Sequence, residues 1–346
     1  MQTYFIVFII LIICWYLYRQ PQRSFRFQNF FYWVAVFILL FISGVRYKVG
    51  TDYGTYMYNF EWIYTKGDIS ITNQPALYVI ARATELIHHD SALWFFVMAV
   101  ITIIPIAIVI KKHSIDAMLS IIFFVLIGSW HFSFNIVKQY AAMSILFVGF
   151  EYLYNKDLKK WIIICLLATT FHLSALFMLP IYFVVDTNVN KKKIFISFIS
   201  AIILSLSYDY LLSSFSNLKT EGRISMDSDD VQNSVNLLRV AVNCAPVLFI
   251  LLFRKVYDFN DKKFVLCFNL SLLNVILNFV AFTSIYLYRI IIYTNVFNVL
   301  LIPYIAKPFN KSTRYIIMMV MILLYFIFWT YDLYKGEYTR NYDWIF

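Results

Sequence analysis

The sequence predicts an all-α polytopic integral membrane protein, and three observations predict it. Hydrophobic residues make up 62% of the 346 positions and charged residues only 14%, which is too apolar for a soluble domain. The apolar residues fall in successive runs of about 17 to 22, the length that crosses a bilayer as a helix. None of these runs shows the alternation over about ten residues that a transmembrane β-strand requires. A single transmembrane domain over residues 1–346 is expected, with roughly ten spans and one re-entrant hairpin. The formal charge of +10 comes largely from lysines in short loops, where the positive-inside bias accounts for them, so no nucleic-acid partner is expected.

Spans at 3–18 and 28–45 flank a loop with Arg19, Arg23 and Arg26. That basic loop belongs in the cytoplasm, which puts the N-terminus outside. The first run has no basic region before it and no small-residue cleavage site after it, so it reads as a retained span. Residues 46–90 then form an external loop. Within it, 75–89 carries apolar positions at helical spacing interrupted by Arg82 and Glu85, the pattern of an amphipathic helix at the interface. Spans at 91–110, 115–131 and 137–154 follow, with Lys111, Lys112 and the loop NKDLKK inside.

The run 161–185 has Lys159 and Lys160 before it and Lys191 to Lys193 after it. A hairpin with its tip near His172 keeps both clusters cytoplasmic, and irregular backbone at that depth is tolerated when it is buried among helices. One tilted helix is the alternative. After a span at 194–212, an acidic external loop at 213–235 holds Glu221, Asp227, Asp229 and Asp230. Spans at 264–283, 286–305 and 315–334 complete the chain, with RKVYDFNDKK and AKPFNKSTR inside and the C-terminal tail outside. Cys14, Cys165, Cys244 and Cys267 lie in apolar runs without C-x-x-C spacing and read as packing residues.

On this topology Arg46, Lys138, Arg239 and Arg289 all fall at outer ends of spans. The positive-inside bias depletes that side and an intramembrane charge is costly, so four cations together suggest a bound anion. A lipid-linked pyrophosphate suits them, because guanidinium groups hold phosphate oxygens in a fork of donors. The alternative is that each snorkels to the interface or pairs with a local carboxylate. Asp52, six residues after Arg46, reads either as a general base for a sugar hydroxyl or as a salt-bridge partner of the arginine. Membrane glycosyltransferases of the GT-C type also keep an acidic residue in the first external loop, a likeness at the level of fold. His172, in the middle of an apolar run, is the second candidate base, or else a histidine bonded to a carbonyl freed by a helix break. Tyr53 and Tyr56 are interface anchors or platforms for sugar rings. His131 reads as an interface residue beside Trp130. No H-E-x-x-H spacing and no Gly-rich phosphate loop occur, so neither a metal nor any other cofactor is expected.

Four patterns in order, RYKVGTDYGTY from Arg46, NIVKQYAAMSI from Asn135, FHLSALFMLP from Phe171 and YRIIIYTNVF from Tyr288, resemble the EpsG family of Wzy-like polysaccharide polymerases. The resemblance covers most of the chain. It implies polymerisation of undecaprenyl-pyrophosphate-linked oligosaccharide repeat units on the outer face of a bacterial cytoplasmic membrane, for O-antigen, capsule or exopolysaccharide. A chain-length regulator and a flippase of the same pathway are the implied partners. Arg46, Arg239 and Arg289 become pyrophosphate clamps and Asp52 or His172 the base. Lys138 and Gln139 stand where the family often has Arg-Gln, which keeps the charge and loses the bidentate fork. No metal is required if the arginines neutralise the leaving group. The rival class is a flippase of lipid-linked oligosaccharide, which should show internal repeats and cations along a path through the membrane. The sequence shows neither. An O-acetyltransferase would need an acyl-donor route from the cytoplasm, of which there is no sign.

Overall fold

The computed structural model describes residues 1–20, 24–67, 74–188, 192, 195, 196, 199, 203, 237–280, 285–336 and 342–344, the side chains of 280, 285–289, 343 and 344 excepted. Almost all of the expected span at 194–212 and the whole external loop at 213–235 lie outside these residues.

Helices dominate. They are α1 (Gln2–Tyr18), α2 (Phe25–Gly44), α3 (Tyr53–Tyr58), α4 (Pro75–Glu85), α5 (Ala92–His113), α6 (Ala117–Leu126), α7 (Ser129–Phe132), α8 (Val137–Val148), α9 (Phe150–Tyr154), α10 (Leu158–Thr169) and α11 (Ile181–Val184). Beyond the undescribed stretch follow α12 (Leu237–Leu252), α13 (Lys262–Val280), α14 (Ile285–Asn295), α15 (Asn298–Ala306) and α16 (Lys311–Lys335). A two-residue antiparallel ladder pairs β1 (Arg46–Tyr47) with β2 (Asp343–Trp344). Among the described residues α2, α5, α13 and α16 are long and apolar enough to cross a membrane, and α1, α6 and α12 are shorter apolar helices. The protein is an α-helical membrane protein.

Helix starts at one end of the bundle are fixed by side-chain caps. Ser24 accepts from Phe27 N, Asp116 from Leu119 N, Asp157 from Lys160 N and Asn310 from Thr313 N, each satisfying an otherwise orphaned donor of the first turn. The same end carries the ion pairs Arg19–Asp116 at 3.9 Å, Lys156–Asp186 at 3.4 Å and Lys307–Asp261 at 3.0 Å. Aromatic residues fill the interior, with Trp94, Trp130, Trp161 and Trp329 fully enclosed. Helix α5 packs against both α2 and α8, so it forms a central post beneath the loop that follows α2.

Several expected spans are interrupted. The run 115–131 stops as a helix at Leu126, because Gly128 takes a left-handed φ of 89° and turns the chain into the short α7, a conformation glycine adopts without steric cost. The run 137–154 divides at Gly149 into α8 and α9, and 286–305 divides into α14 and α15. Within the loop 46–90, α4 buries Leu77, Tyr78, Ala81 and Thr84 along one face, an amphipathic arrangement at helical spacing.

The segment 161–185 doubles back on itself. Helix α10 ends at Thr169, the chain reverses at His172 through a single 3₁₀ segment (Leu173–Met178), and α11 returns it. The indole of Trp161 donates to the Leu179 carbonyl at 3.1 Å, and Lys156 Nζ donates to the Val185 carbonyl at 2.9 Å. The two ends of the segment therefore lie side by side, which one tilted helix would not allow.

Candidate active site

The loop after α2 is built around Arg46. Only 2% of this residue is exposed. Its guanidinium donates to the Ser43 carbonyl and lies 5.0 Å from both the Phe95 and the Phe134 ring centroids. The C-terminal tail closes over the same spot, with Tyr342 donating to the Ile42 carbonyl and β2 pairing with β1. Among the described residues no carboxylate pairs with Arg46, and its Nε has no hydrogen-bond partner. Burial lowers the guanidinium to about 10, with Tyr342, Tyr53, Tyr4 and Tyr56 pulling the other way. It therefore stays charged at neutral pH.

Two contacts then aim the motif. Gly50 holds a φ of +104° against Asn135, and the Thr51 N–H donates to Asn135 Oδ1 at 3.1 Å. This seats Asp52, half-buried, at the start of α3. Tyr53 stacks on Phe95 with centroids 4.3 Å apart and Tyr56 packs beside Trp94 at 5.9 Å, so both rings face protein. The Tyr56 phenol is pushed up first by burial and next by the Asp52 carboxylate, which puts that carboxylate within electrostatic reach of the ring. Lys138 Nζ lies 5.9 Å from the same ring.

Lys138 and Gln139 form the first turn of α8, and Gln139 leads to the hairpin tip. Its Nε2 lies 3.3 Å from His172 Nε2, while its own Oε1 is buried without a partner. Turning the amide over resolves both, since Oε1 then accepts from a His172 Nε2–H. The other ring nitrogen, Nδ1, is 2.7 Å from Ser174 Oγ, and that hydroxyl is 2.8 Å from Tyr293 OH. His172 also accepts from the Ser174 N–H at 3.4 Å, which assigns the lone pair to Nδ1. The imidazole is thus neutral and linked to a chain of two hydroxyls.

Arg239 enters from α12. Its guanidinium pairs with Asp332 of α16 and lies 4.2 Å from the Phe132 ring centroid. Asp332 Oδ2 is in turn 3.2 Å from His131 Nε2, and Trp329 Nε1 donates to His131 Nδ1 at 3.2 Å. An indole N–H only donates, so His131 must present its lone pair to Trp329 and its N–H to Asp332. His131 is 1% exposed, a buried link rather than the interface residue expected from its place beside Trp130. Of the candidate cations, Arg239 follows the carboxylate-pairing alternative.

Beside Arg239 a cleft of about 30 Å³ opens between α7, α8, α12 and α14, its polar lining supplied by Arg239, Tyr140, Asn243 and Asn295. Arg289 lies one turn before Tyr293 in α14, its side chain outside the described residues. The α8 start is thus the meeting point. Lys138 reaches the Asp52 loop, Gln139 reaches His172, and Ile136 and Tyr140 line the cleft below Arg239.

Sequence reasoning passed over Asp332, Ser174, Tyr293, Asn243 and Asn295. For Asp332 a signal existed, an acid within the last apolar run, which normally marks a partner or a functional site. For the others there was none, since hydroxyls and amides inside a span carry no motif. Among the described residues no group of three or more His, Cys, Asp or Glu is placed to hold a metal ion, and all four cysteines are free and buried.

No curated protein and no solved structure matches the chain. The sequence model of the EpsG family matches residues 29–345, from the start of the second apolar run through the tail that covers Arg46. With the match spanning nearly the whole chain, the protein belongs to the EpsG family, a family of Wzy-like polysaccharide polymerases.

Proposed function

We propose that this chain polymerises polyprenyl-pyrophosphate-linked oligosaccharide repeat units on the extracytoplasmic face of the bacterial cytoplasmic membrane. The observation that carries the proposal is the first turn of α8, where a cation, a histidine with a proton path and the Asp52 loop converge. Orientation is supported by the opposite end of the bundle, which holds Arg19, Lys112, Lys156 and Lys307 in ion pairs at helix ends and loops, as the positive-inside bias requires of the cytoplasmic side. The hairpin then reads as re-entrant from that side.

In the proposed step the acceptor hydroxyl of one lipid-linked unit attacks the anomeric carbon of the other. The new C–O bond forms as the bond between that carbon and the pyrophosphate oxygen breaks, and the electron pair leaves with the lipid pyrophosphate. The hydroxyl proton passes to Tyr293, whose own proton moves to Ser174 as the Ser174 proton moves to Nδ1 of His172, so the imidazole ends as the cation and each hydroxyl is left neutral. Lys138, with Arg289 from the facing helix, meets the developing negative charge of the leaving group. Asp52, whose carboxylate acts on the same Tyr56 ring that Lys138 approaches, orients Lys138 or the acceptor. Arg46, enclosed on every side, braces the loop that carries Asp52.

The test is reconstitution of the purified protein with lipid-pyrophosphate-linked repeat units. The expected result is a ladder of longer glycans that is lost in His172→Ala and strongly reduced in Lys138→Ala, with both variants monodisperse. If substrate crosses the bilayer at unchanged length, the chain is a flippase and the proposal fails. If His172→Ala retains the ladder while Asp52→Asn abolishes it, the base is Asp52.

A further inference from the structure

The cleft beside Arg239 belongs to none of the steps above, and its lining states what it can bind. The amide of Asn243 donates from Nδ2 to Asn278 Oδ1 at 3.3 Å. Asn278 is fixed behind it by bonds from its Nδ2 to the Asn274 carbonyl at 2.8 Å and to Asn274 Oδ1 at 3.1 Å. Asn274 is held in turn by Thr294 Oγ1 at 2.9 Å. With one of its two N–H groups committed to Asn278, Asn243 keeps its side-chain carbonyl oxygen and one N–H for the cleft. Asn295 is oriented the opposite way, because its Oδ1 accepts from Asn298 Nδ2 at 3.0 Å, and it offers the cleft its N–H donors. An acceptor and donors in one cleft suit a group that both gives and takes a hydrogen bond, which is a hydroxyl.

Charge and size narrow the choice. The Arg239 guanidinium is already neutralised by the buried Asp332 carboxylate, and an entering anion would have to sit close to that carboxylate in a site of low dielectric. A neutral hydroxyl meets no such repulsion. The volume of about 30 Å³ exceeds the roughly 10–15 Å³ that one water needs, so the cleft has room for a small hydroxyl-bearing substituent. Phe132 and Tyr140 supply apolar wall at its sides.

We propose that Asn243 and Asn295, backed by Tyr140 and Arg239, form a specificity cleft that receives one hydroxyl-bearing substituent of the neutral part of the glycan. The proposal rests on the polymerase reading. It assigns Arg239 to the sugar side of the substrate and leaves the pyrophosphate to Lys138 and Arg289.

The experiment measures inhibition of the polymerisation ladder by two probes. One is the free repeat-unit glycan released by mild acid from the lipid-linked substrate of the source cells. The other is inorganic pyrophosphate. In Asn295→Ala the half-inhibiting concentration of free glycan is expected to rise about tenfold, as for loss of one to two hydrogen bonds, while that of pyrophosphate stays within about twofold. Asn295→Gln, which keeps the amide and fills the space with a methylene, is expected to show the same loss. Unchanged pyrophosphate inhibition also certifies that each variant is folded. Weakened inhibition by pyrophosphate but not by glycan would make the cleft an anion site and overturn the proposal, and so would no change in either. If the wild type makes no ladder, the polymerase reading has failed on its own. Equilibrium dialysis of tritium-labelled free glycan then decides the cleft, with equal binding to wild type and Asn295→Ala counting against it.

Discussion

Replacing Gly50 by alanine should unseat the RYKVGTDYGTY loop without touching any charged group. At Gly50 the φ of +104° is one that L side chains rarely adopt, and an added Cβ would lie 2.4 Å from Asn135 Oδ1 and 3.0 Å from the Phe134 carbonyl oxygen. The backbone term is about 1–3 kcal/mol. Displacing Asn135 also breaks its bond with the Thr51 N–H, worth about 1 kcal/mol for a neutral pair. Together these give roughly 2–4 kcal/mol, or a shift of roughly 30- to 900-fold from seated to unseated loop. Gly54, four residues on in the same motif, supplies the control. A Cβ there meets nothing within 4 Å, so Gly54→Ala should leave the loop seated. Hydrogen exchange of the peptide 46–56 reads the population directly, because amides bonded only in the seated state, including those of Thr51, Tyr53 and Tyr56, exchange in proportion to opening. The same preparation is assayed for the glycan ladder. Faster exchange and lost polymerisation in Gly50→Ala with neither in Gly54→Ala is the expected pattern. Equal behaviour of the two variants would refute the account of how the loop is held.

Breaking the buried Arg239–Asp332 pair with Asp332→Leu should cost about 3–5 kcal/mol by leaving a charge without its partner, and adding Arg239→Met should recover most of it. Thermal midpoints in detergent decide, and strictly additive losses would argue against the pairing. Cysteines placed at Lys156 and Thr187 should be labelled from the same side of the membrane, since the four native cysteines are buried and silent. Labelling from opposite sides would make 161–185 a crossing. At the basic end, burial is the largest influence on Asp261 and raises its carboxyl, but N–H groups of Phe264 and Lys263 and the Lys307 ammonium outweigh it and hold it below the usual range. A depressed folded value means stability that is present above the unfolded carboxylate value of about 3.9 and lost as pH falls through the folded one. Lys307→Met should therefore reduce the drop in thermal midpoint between about pH 6 and about pH 3, and an unchanged drop would remove Lys307 from that role.

How much of this was legible in the sequence follows from what a hydropathy window averages. It registers total apolar length, and so it found α2, α5, α13 and α16. It cannot register a break that swaps one apolar turn for another. The reversal at Gly128 was covered by flanking isoleucine and tryptophan, and the division of 286–305 falls at Val296 and Phe297, which carry no glycine or proline. The hairpin was legible for a different reason. Its signal was electrostatic, two lysine clusters expected on one side, and the reversal at His172 brings Lys156 beside Val185 and Asp186. The candidate cations were legible as a set but not as individuals. A sequence shows that Arg239 sits where charge is costly, but not that Asp332, distant along the chain, stands 5% exposed beside it.

That distinction bears on how one site can use positive charge twice. Arg46 and Arg239 both rest against aromatic rings, yet their surroundings impose opposite duties. Arg239 has a carboxylate, so its field is short-ranged and its remaining donors serve neutral partners. Arg46 has carbonyls and rings, so its charge is not cancelled and extends into the loop above it. The Tyr56 phenol feels both the Arg46 guanidinium and the Asp52 carboxylate, and Lys138 Nζ lies 5.9 Å from its ring. Asp52 and Lys138 thus meet at the Tyr56 ring, and the next residue of α8, Gln139, joins this corner to His172. On this argument Arg46→Lys, which keeps the charge but loses the planar fit between Phe95 and Phe134, should impair polymerisation nearly as much as Arg46→Met. A Lys variant with full activity would show that charge alone, and not the braced loop, is what Arg46 supplies.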